Sequence, residues 1–166
     1  MRITDTHYYF WNTIYSQWYK SARKTYLFEE DGIKFYSSEH YMMYHKCLTF
    51  NDEVNAKTVL QKTSPREVKA IGRQIKNYDD NIWSEKRYDI VLQGNILKFS
   101  QNEELLEDLN KYKDKIFVEA SPEDNIWGIG LHYDDDRVLD ESQWEGQNLL
   151  GKVINDVAKR LCKKDK

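Results

Sequence analysis

The chain has no apolar run longer than a few positions, yet 14% of its residues are aromatic, including 5 Trp and 12 Tyr. A helix that crosses a bilayer needs roughly 20 consecutive apolar residues, so no membrane span and no membrane partner is expected. A mean hydropathy of -0.84 alone would suit a disordered chain, but so many large rings do not. Rings with polar handles must therefore supply much of the core, and some are left to line a pocket for flat ligands. The length of 166 residues fits one compact domain over residues 1–166, or two small lobes sharing a core, better than a multidomain enzyme.

Charged residues make up 32% of the chain, but the net charge is only -3. A nonspecific polyanion binder would normally be markedly basic, so that class is disfavoured and only a local basic patch is left open. Cys47 and Cys162 lie far apart, which argues against a disulfide framework or a cysteine-rich metal site. The opening MRITDTHYYFW lacks the basic-then-apolar layout of a secretion signal. A reducing, cytoplasmic protein is expected.

The Asp31-Gly32 pair sits between Tyr26-Leu27-Phe28 and Ile33-Lys34-Phe35-Tyr36, a hairpin signal. From Ser38 the spacing of Tyr41, Met42, Lys46 and Phe50 becomes helical, with Ser37 or Ser38 able to cap the first turn. Asn51-Asp52 can open a further helix, and Ser64-Pro65-Arg66-Glu67 combines a capping box with proline at the first helical position. The pattern then predicts a long helix over 80–99, a short one capped by Asn102, a strand over 115–119, an ordered loop over 121–131 and a closing helix over 147–161. The expected class is α+β, a mostly helical single domain with a short N-terminal hairpin and a few short strands.

Three segments carry groups able to do chemistry. Glu39 and Lys46 are seven apart, so on a helix they point within about 20° of each other, roughly 10 Å apart along the axis. Either they are a dipole-stabilised surface carboxylate and a solvated lysine, or the Met and Tyr residues around them mark a stripe that is not purely solvent-facing. His40 and His45 lack ligand spacing and read as ordinary polar residues. In Ser121 to Gly130, Ser121 with Asp124 is either a capping box or the support of a site. Gly128 and Gly130 are then either turn residues or points of close ligand approach, with Trp127 offering a ring face and Asp124 an acceptor or base. In Trp144 to Lys152, polar residues and glycines lead into the closing helix, whose first amides either pack on the core or point outward toward a phosphate. Trp83 and Arg87, four apart on the long helix, are either a surface cation-π pair or a pocket wall.

Taken in order, these segments resemble the NADAR family, also called YbiA-like. The carriers are Tyr15 to Tyr19, Ser38 to Met43 with Lys46, Gly72-Arg73, Trp83 with Arg87, Lys98-Phe99, Glu119 to Pro122 with Asp124, Trp127 to Gly130, and Trp144 to Gly151. His40 stands where that family commonly has glutamine, and Cys47 where it usually has alanine; neither removes a proposed catalytic group.

The resemblance implies an N-glycosidase that cuts the bond between a ribose carbon and a nitrogen of a base-like group. It suggests two substrate classes: ADP-ribose attached to guanine in DNA or RNA, which we take as the leading reading, and phosphorylated ribosylamino-pyrimidine intermediates of riboflavin synthesis. A module that binds ADP-ribose or a nucleotide without cleaving it is the reading of another class. Glu39 is expected to handle protons, Lys46 to attack the anomeric carbon and form a Schiff base, and Asp124 to orient the ribose or a water. Trp83 and Trp127 are expected to sandwich the base or sugar, with Gly128 and Gly130 beside them. Arg87 and the Trp144 to Gly151 segment, Asn148 included, are expected to hold phosphate. No metal and no cofactor is required. The reading needs Glu39 and Lys46 to meet the Asp124 and Trp127 loop in one cavity.

Overall fold

A computed structural model describes residues 1–164. The chain divides into two units, one built from residues 1–16 and the stretch from Glu103 onward, the other from Gln17–Asn102.

In the first unit, strands β1 (Arg2–Ile3), β2 (His7–Phe10) and β5 (Ile116–Glu119) form a sheet in the order β1-β2-β5. β1 pairs antiparallel with β2, while β2 runs parallel to β5 with Tyr8 opposite Phe117 and Phe10 opposite Glu119. Helix α5 (Glu103–Lys111) packs on α6 (Leu149–Leu161), and α6 packs on β5. Two short 3-10 turns, Asp136–Leu139 and Glu141–Gln143, stand between β5 and α6. Tyr9, Val118, Ala120, Ile129, Leu131 and Val138 form a buried cluster, with Tyr133 and Trp144 packed against it. Tyr8, Tyr15 and Phe117 form a second group of rings with centroids 4.9–5.3 Å apart, at the separations that tilted aromatic pairs prefer.

The second unit opens with the hairpin, strands β3 (Phe28–Glu30) and β4 (Ile33–Phe35), in register from Phe28 opposite Phe35 to Glu30 opposite Ile33. Asp31 and Gly32 both take positive φ, 51° and 79°, as a two-residue turn matched to strand twist requires. Four helices follow: α1 (Ser38–Thr49), α2 (Glu53–Leu60), α3 (Pro65–Gly72) and α4 (Asp80–Ser100). The Ser37, Asp52, Ser64 and Asp79 side chains accept first-turn amides at their four N-termini.

Helix α1 packs against α2, α3, α4 and β4. Its residues Ser38 to Met43 are consequently all buried, where an ordinary amphipathic helix buries one face. Contact with α4 is close because residue 94 is glycine: a Cβ there would lie 2.7 Å from the Tyr41 ring. The class is α+β and mostly helical, with six helices and a few short strands among the described residues. The N-terminal strands β1 and β2 and the 3-10 turns are additions to what the residue pattern predicts. Asn102, which directly precedes α5, donates from its side-chain amide to the carbonyls of Leu27 and Lys98. Among the described residues no helix is long and apolar enough to cross a membrane.

Candidate active site

Glu39 enters α1 in its first turn, where its backbone N–H donates to the Gln17 carbonyl at 2.9 Å and the next amide, that of His40, is held by the Ser37 hydroxyl. Its side chain is not on the surface: Glu39 is only 5% exposed. Two turns on, Lys46 is half-buried and donates from Nζ to the Gly72 carbonyl at 3.1 Å. The same Nζ lies 4.8 Å from the centre of the Tyr78 ring and 5.5 Å from that of Trp83, inside cation-π range of both. Burial pushes the Lys46 amine below its ordinary value, and the Glu39 charge pulls the other way. Of the pair, Glu39 is therefore not the surface carboxylate of the first sequence alternative, and Lys46 is only partly solvated.

Trp83 and Arg87 occupy neighbouring turns of α4, Trp83 buried and Arg87 half-buried. Burial and a hydrogen bond to Asp80 raise the Tyr78 phenol pKa, and the Arg87 charge opposes them, which puts that guanidinium in the electrostatic neighbourhood of the ring beside Lys46. In the second unit Lys46 thus lies beside Tyr78 and Trp83, with the Glu39 charge acting on Lys46 and the Arg87 charge on Tyr78. Pattern reading passed over Tyr78, because a lone aromatic in the polar link between two helices gives no periodic signal. The rings beside Lys46 are Tyr78 and Trp83.

His40 is buried, with Nδ1 accepting the Tyr36 amide and Nε2 donating to the Val59 carbonyl at 2.8 Å, so burial holds its pKa down and its role is internal bracing. His45 faces Glu30 at 3.3 Å. Among the described residues no group of three or more His, Cys, Asp or Glu is placed to hold a metal.

The first unit holds the other sequence candidates. Asp124 Oδ1 accepts the backbone amides of Ile126 and Trp127, both at 2.8 Å, and the Asp124 carbonyl accepts the Gly130 amide. The carboxylate thus shapes the loop that carries the half-buried Trp127. Gly128 is required by the protein's own backbone: a Cβ there would lie 2.9 Å from the Asp124 carbonyl oxygen and 3.0 Å from that of Glu119. At Gly130, φ is +72° and a Cβ would press on Glu145.

Trp144 donates its indole N–H to the Val138 carbonyl at 2.8 Å and packs on the buried cluster. Asn148 is 3% exposed and joins β5 to α6, with Oδ1 accepting the Glu119 amide at 2.9 Å and Nδ2 donating to the Phe117 carbonyl at 3.1 Å. The start of α6, expected to hold phosphate, has its amides engaged within its own unit. The amides of Gln147, Asn148, Leu149 and Leu150 donate to the carbonyls of Asn125, Gly128, Ile126 and Trp127, so they are not bare. A helix start whose amides are already satisfied by a neighbouring loop has little left to offer an anion.

A buried acid and a half-buried, pKa-lowered lysine two turns apart on one helix mark this part of the α+β chain as a candidate site. The NADAR domain pattern matches residues 4–162, and the chain belongs to the NADAR family of N-glycosidases, hydrolases acting on N-glycosyl bonds. It is 43% identical over 141 residues to N-glycosidase R617 of Acanthamoeba polyphaga mimivirus, an alignment covering 85% of this chain and 83% of that one. It is 26% identical over 123 residues to N-glycosidase Npun_R5314 of Nostoc punctiforme, covering 74% and 72%. The fold matches the solved structure of the Escherichia coli protein YbiA with a TM-score of 0.74 at 22% identity, over 96% of this chain and 87% of that one.

Proposed function

We propose that this chain hydrolyses a ribose-to-base N-glycosidic bond through Glu39 and Lys46, and that its substrate is guanine ADP-ribosylated in nucleic acid. The observation that carries the reading is the environment of Lys46: an amine with two ring neighbours, a lowered pKa and the Glu39 charge acting on it.

A lysine attacks only as the neutral amine, which burial favours. The Lys46 lone pair forms a bond to the anomeric carbon as the bond from that carbon to the base nitrogen breaks, and Glu39 delivers a proton to the leaving nitrogen. The lysine N–H proton returns to the glutamate. The nitrogen lone pair then opens the ribose ring, the ring oxygen takes up a proton, and a protonated Schiff base results. Water adds to its carbon, the amine leaves, and the free sugar is released as its aldehyde. Arg87, a cation in the neighbourhood of Tyr78, supplies charge for a phosphate. Asp124 and Trp127 keep their proposed contact with substrate, while Asn148 and Trp144 are proposed to act only by holding the structure of their own unit.

The test is to incubate the protein with an oligonucleotide carrying ADP-ribosylated guanine, and separately with a phosphorylated ribosylamino-pyrimidine, and to measure free ADP-ribose or ribose 5-phosphate. Release from the first, with a borohydride-trapped protein adduct that Lys46→Ala abolishes, is the expected result. Release from the second alone reassigns the substrate. Binding with no release from either makes the chain a recognition module and overturns the enzyme reading.

A further inference from the structure

Three groups surround the Lys46 amine, and they differ in what a ligand can reach. The Gly72 carbonyl is backbone at the end of α3, and Trp83 is 6% exposed. Tyr78 is 44% exposed, although its ring centre is the nearer of the two rings to Nζ. It follows Asn77, whose φ is +61°, in the short link between α3 and α4. Its hydroxyl donates to Asp80 at 2.8 Å and its ring leans on Phe50 with centroids 5.2 Å apart. A large ring is thus held in one orientation beside the amine while water still reaches it.

We propose that Tyr78 is a substrate-contacting residue whose ring stacks on the flat heterocycle that leaves the sugar. The inference rests on the N-glycosidase reading given for Lys46. The heterocycle is bonded directly to the carbon that the amine must reach, so a ring within 5 Å of the amine is next to the leaving group rather than to a distant part of the substrate. Trp83, which the sequence offered for this stacking, forms the inner wall: its burial leaves little ring face for a ligand. The hydroxyl tether to Asp80 restricts the ring before substrate arrives, so little rotamer freedom is lost on stacking.

The experiment compares wild type with Tyr78→Phe, Tyr78→Leu and Tyr78→Gln on the oligonucleotide carrying ADP-ribosylated guanine. Tyr78→Phe keeps the ring and is expected within about twofold of wild-type KM. Tyr78→Leu and Tyr78→Gln are expected to raise KM about tenfold, within the range one aromatic ring stacked on a base contributes. Inhibition by the unmodified oligonucleotide should weaken in parallel, while inhibition by ADP-ribose should not change. Agreement between the apolar and polar variants separates loss of stacking from aggregation or misfolding. An unchanged KM in both, or weakened inhibition by ADP-ribose in place of the oligonucleotide, overturns the assignment. An inactive wild type is a different result, which sinks the catalytic reading of Lys46 itself.

Discussion

The Lys46 ammonium of α1 lies 5.5 Å from the centre of the Trp83 indole at the start of α4. Two helices from different parts of the sequence thereby hold one amine in an environment where its charged form is disfavoured by burial and only partly restored by Glu39.

The first prediction concerns the pH dependence of that amine. Condensation of Lys46 with the open-chain aldehyde of ADP-ribose, trapped by cyanoborohydride, should increase with pH and level off below the ordinary lysine value of 10.5. Because the Glu39 charge raises the Lys46 pKa, Glu39→Gln should move that rise to lower pH. The same variant should lose on the order of 100-fold in steady-state turnover as proton transfer fails. A rise that stays in place after Glu39→Gln would separate the two residues electrostatically.

Asn148 joins β5 to α6 through both ends of its side chain. Asn148→Ala leaves the Glu119 amide and the Phe117 carbonyl buried without their partners, each costing about 1–3 kcal/mol. Urea unfolding should show a loss of about 2–6 kcal/mol with little change in slope. A loss under about 0.5 kcal/mol would mean that the two backbone groups find other partners.

Two glycines make a paired test. A Cβ at Gly151 would lie 2.1 Å from the Phe117 carbonyl oxygen, whereas one at Gly32 would meet nothing within 4 Å but would sit at φ +79°. Gly32→Ala should therefore cost about 1 kcal/mol, the usual strain of a left-handed backbone position. Gly151→Ala must push α6 away from β5 and should cost several times more, read as the drop in thermal midpoint. Equal costs for the two would show that α6 can slide off β5 without penalty.

Lys98 is fully buried near the rings of Tyr19 and Phe99, and burial pushes its amine down to about 7. In the unfolded chain the amine titrates near its ordinary 10.5, so between about 7 and 10.5 the unfolded state binds more protons and stability rises with pH. Below about 7 both states are protonated and the burial cost is at its full size. The urea midpoint should climb from pH 7 to pH 9.5 in wild type, and Lys98→Met should flatten the climb. An equally steep climb in the variant would assign it to another group.

Much of the second unit was legible in residue order. The turn at Asp31 and Gly32, the caps at Ser37, Asp52 and Ser64, and the spacing of Glu39 and Lys46 act over four to seven positions, and the sequence encodes them at that range. Tyr78 was not legible, because its value comes from Lys46, far away in the chain. The engagement of the α6 amides was not legible for a related reason: the polar and glycine residues from Trp144 to Gly151 look alike whether they face a phosphate or the carbonyls of the Asn125 to Gly128 loop.

The parallel pairing of β2 with β5 and the burial of Glu39 belong to the same class of outcome. Local backbone geometry and the helix face on which each charge sits were set by the sequence itself, since capping, positive φ and helical pitch are short-range effects. Which faces became interior, and so which amine had its charged form disfavoured and which amides were already engaged, was decided only by tertiary packing, because desolvation depends on neighbours that arrive from distant parts of the chain.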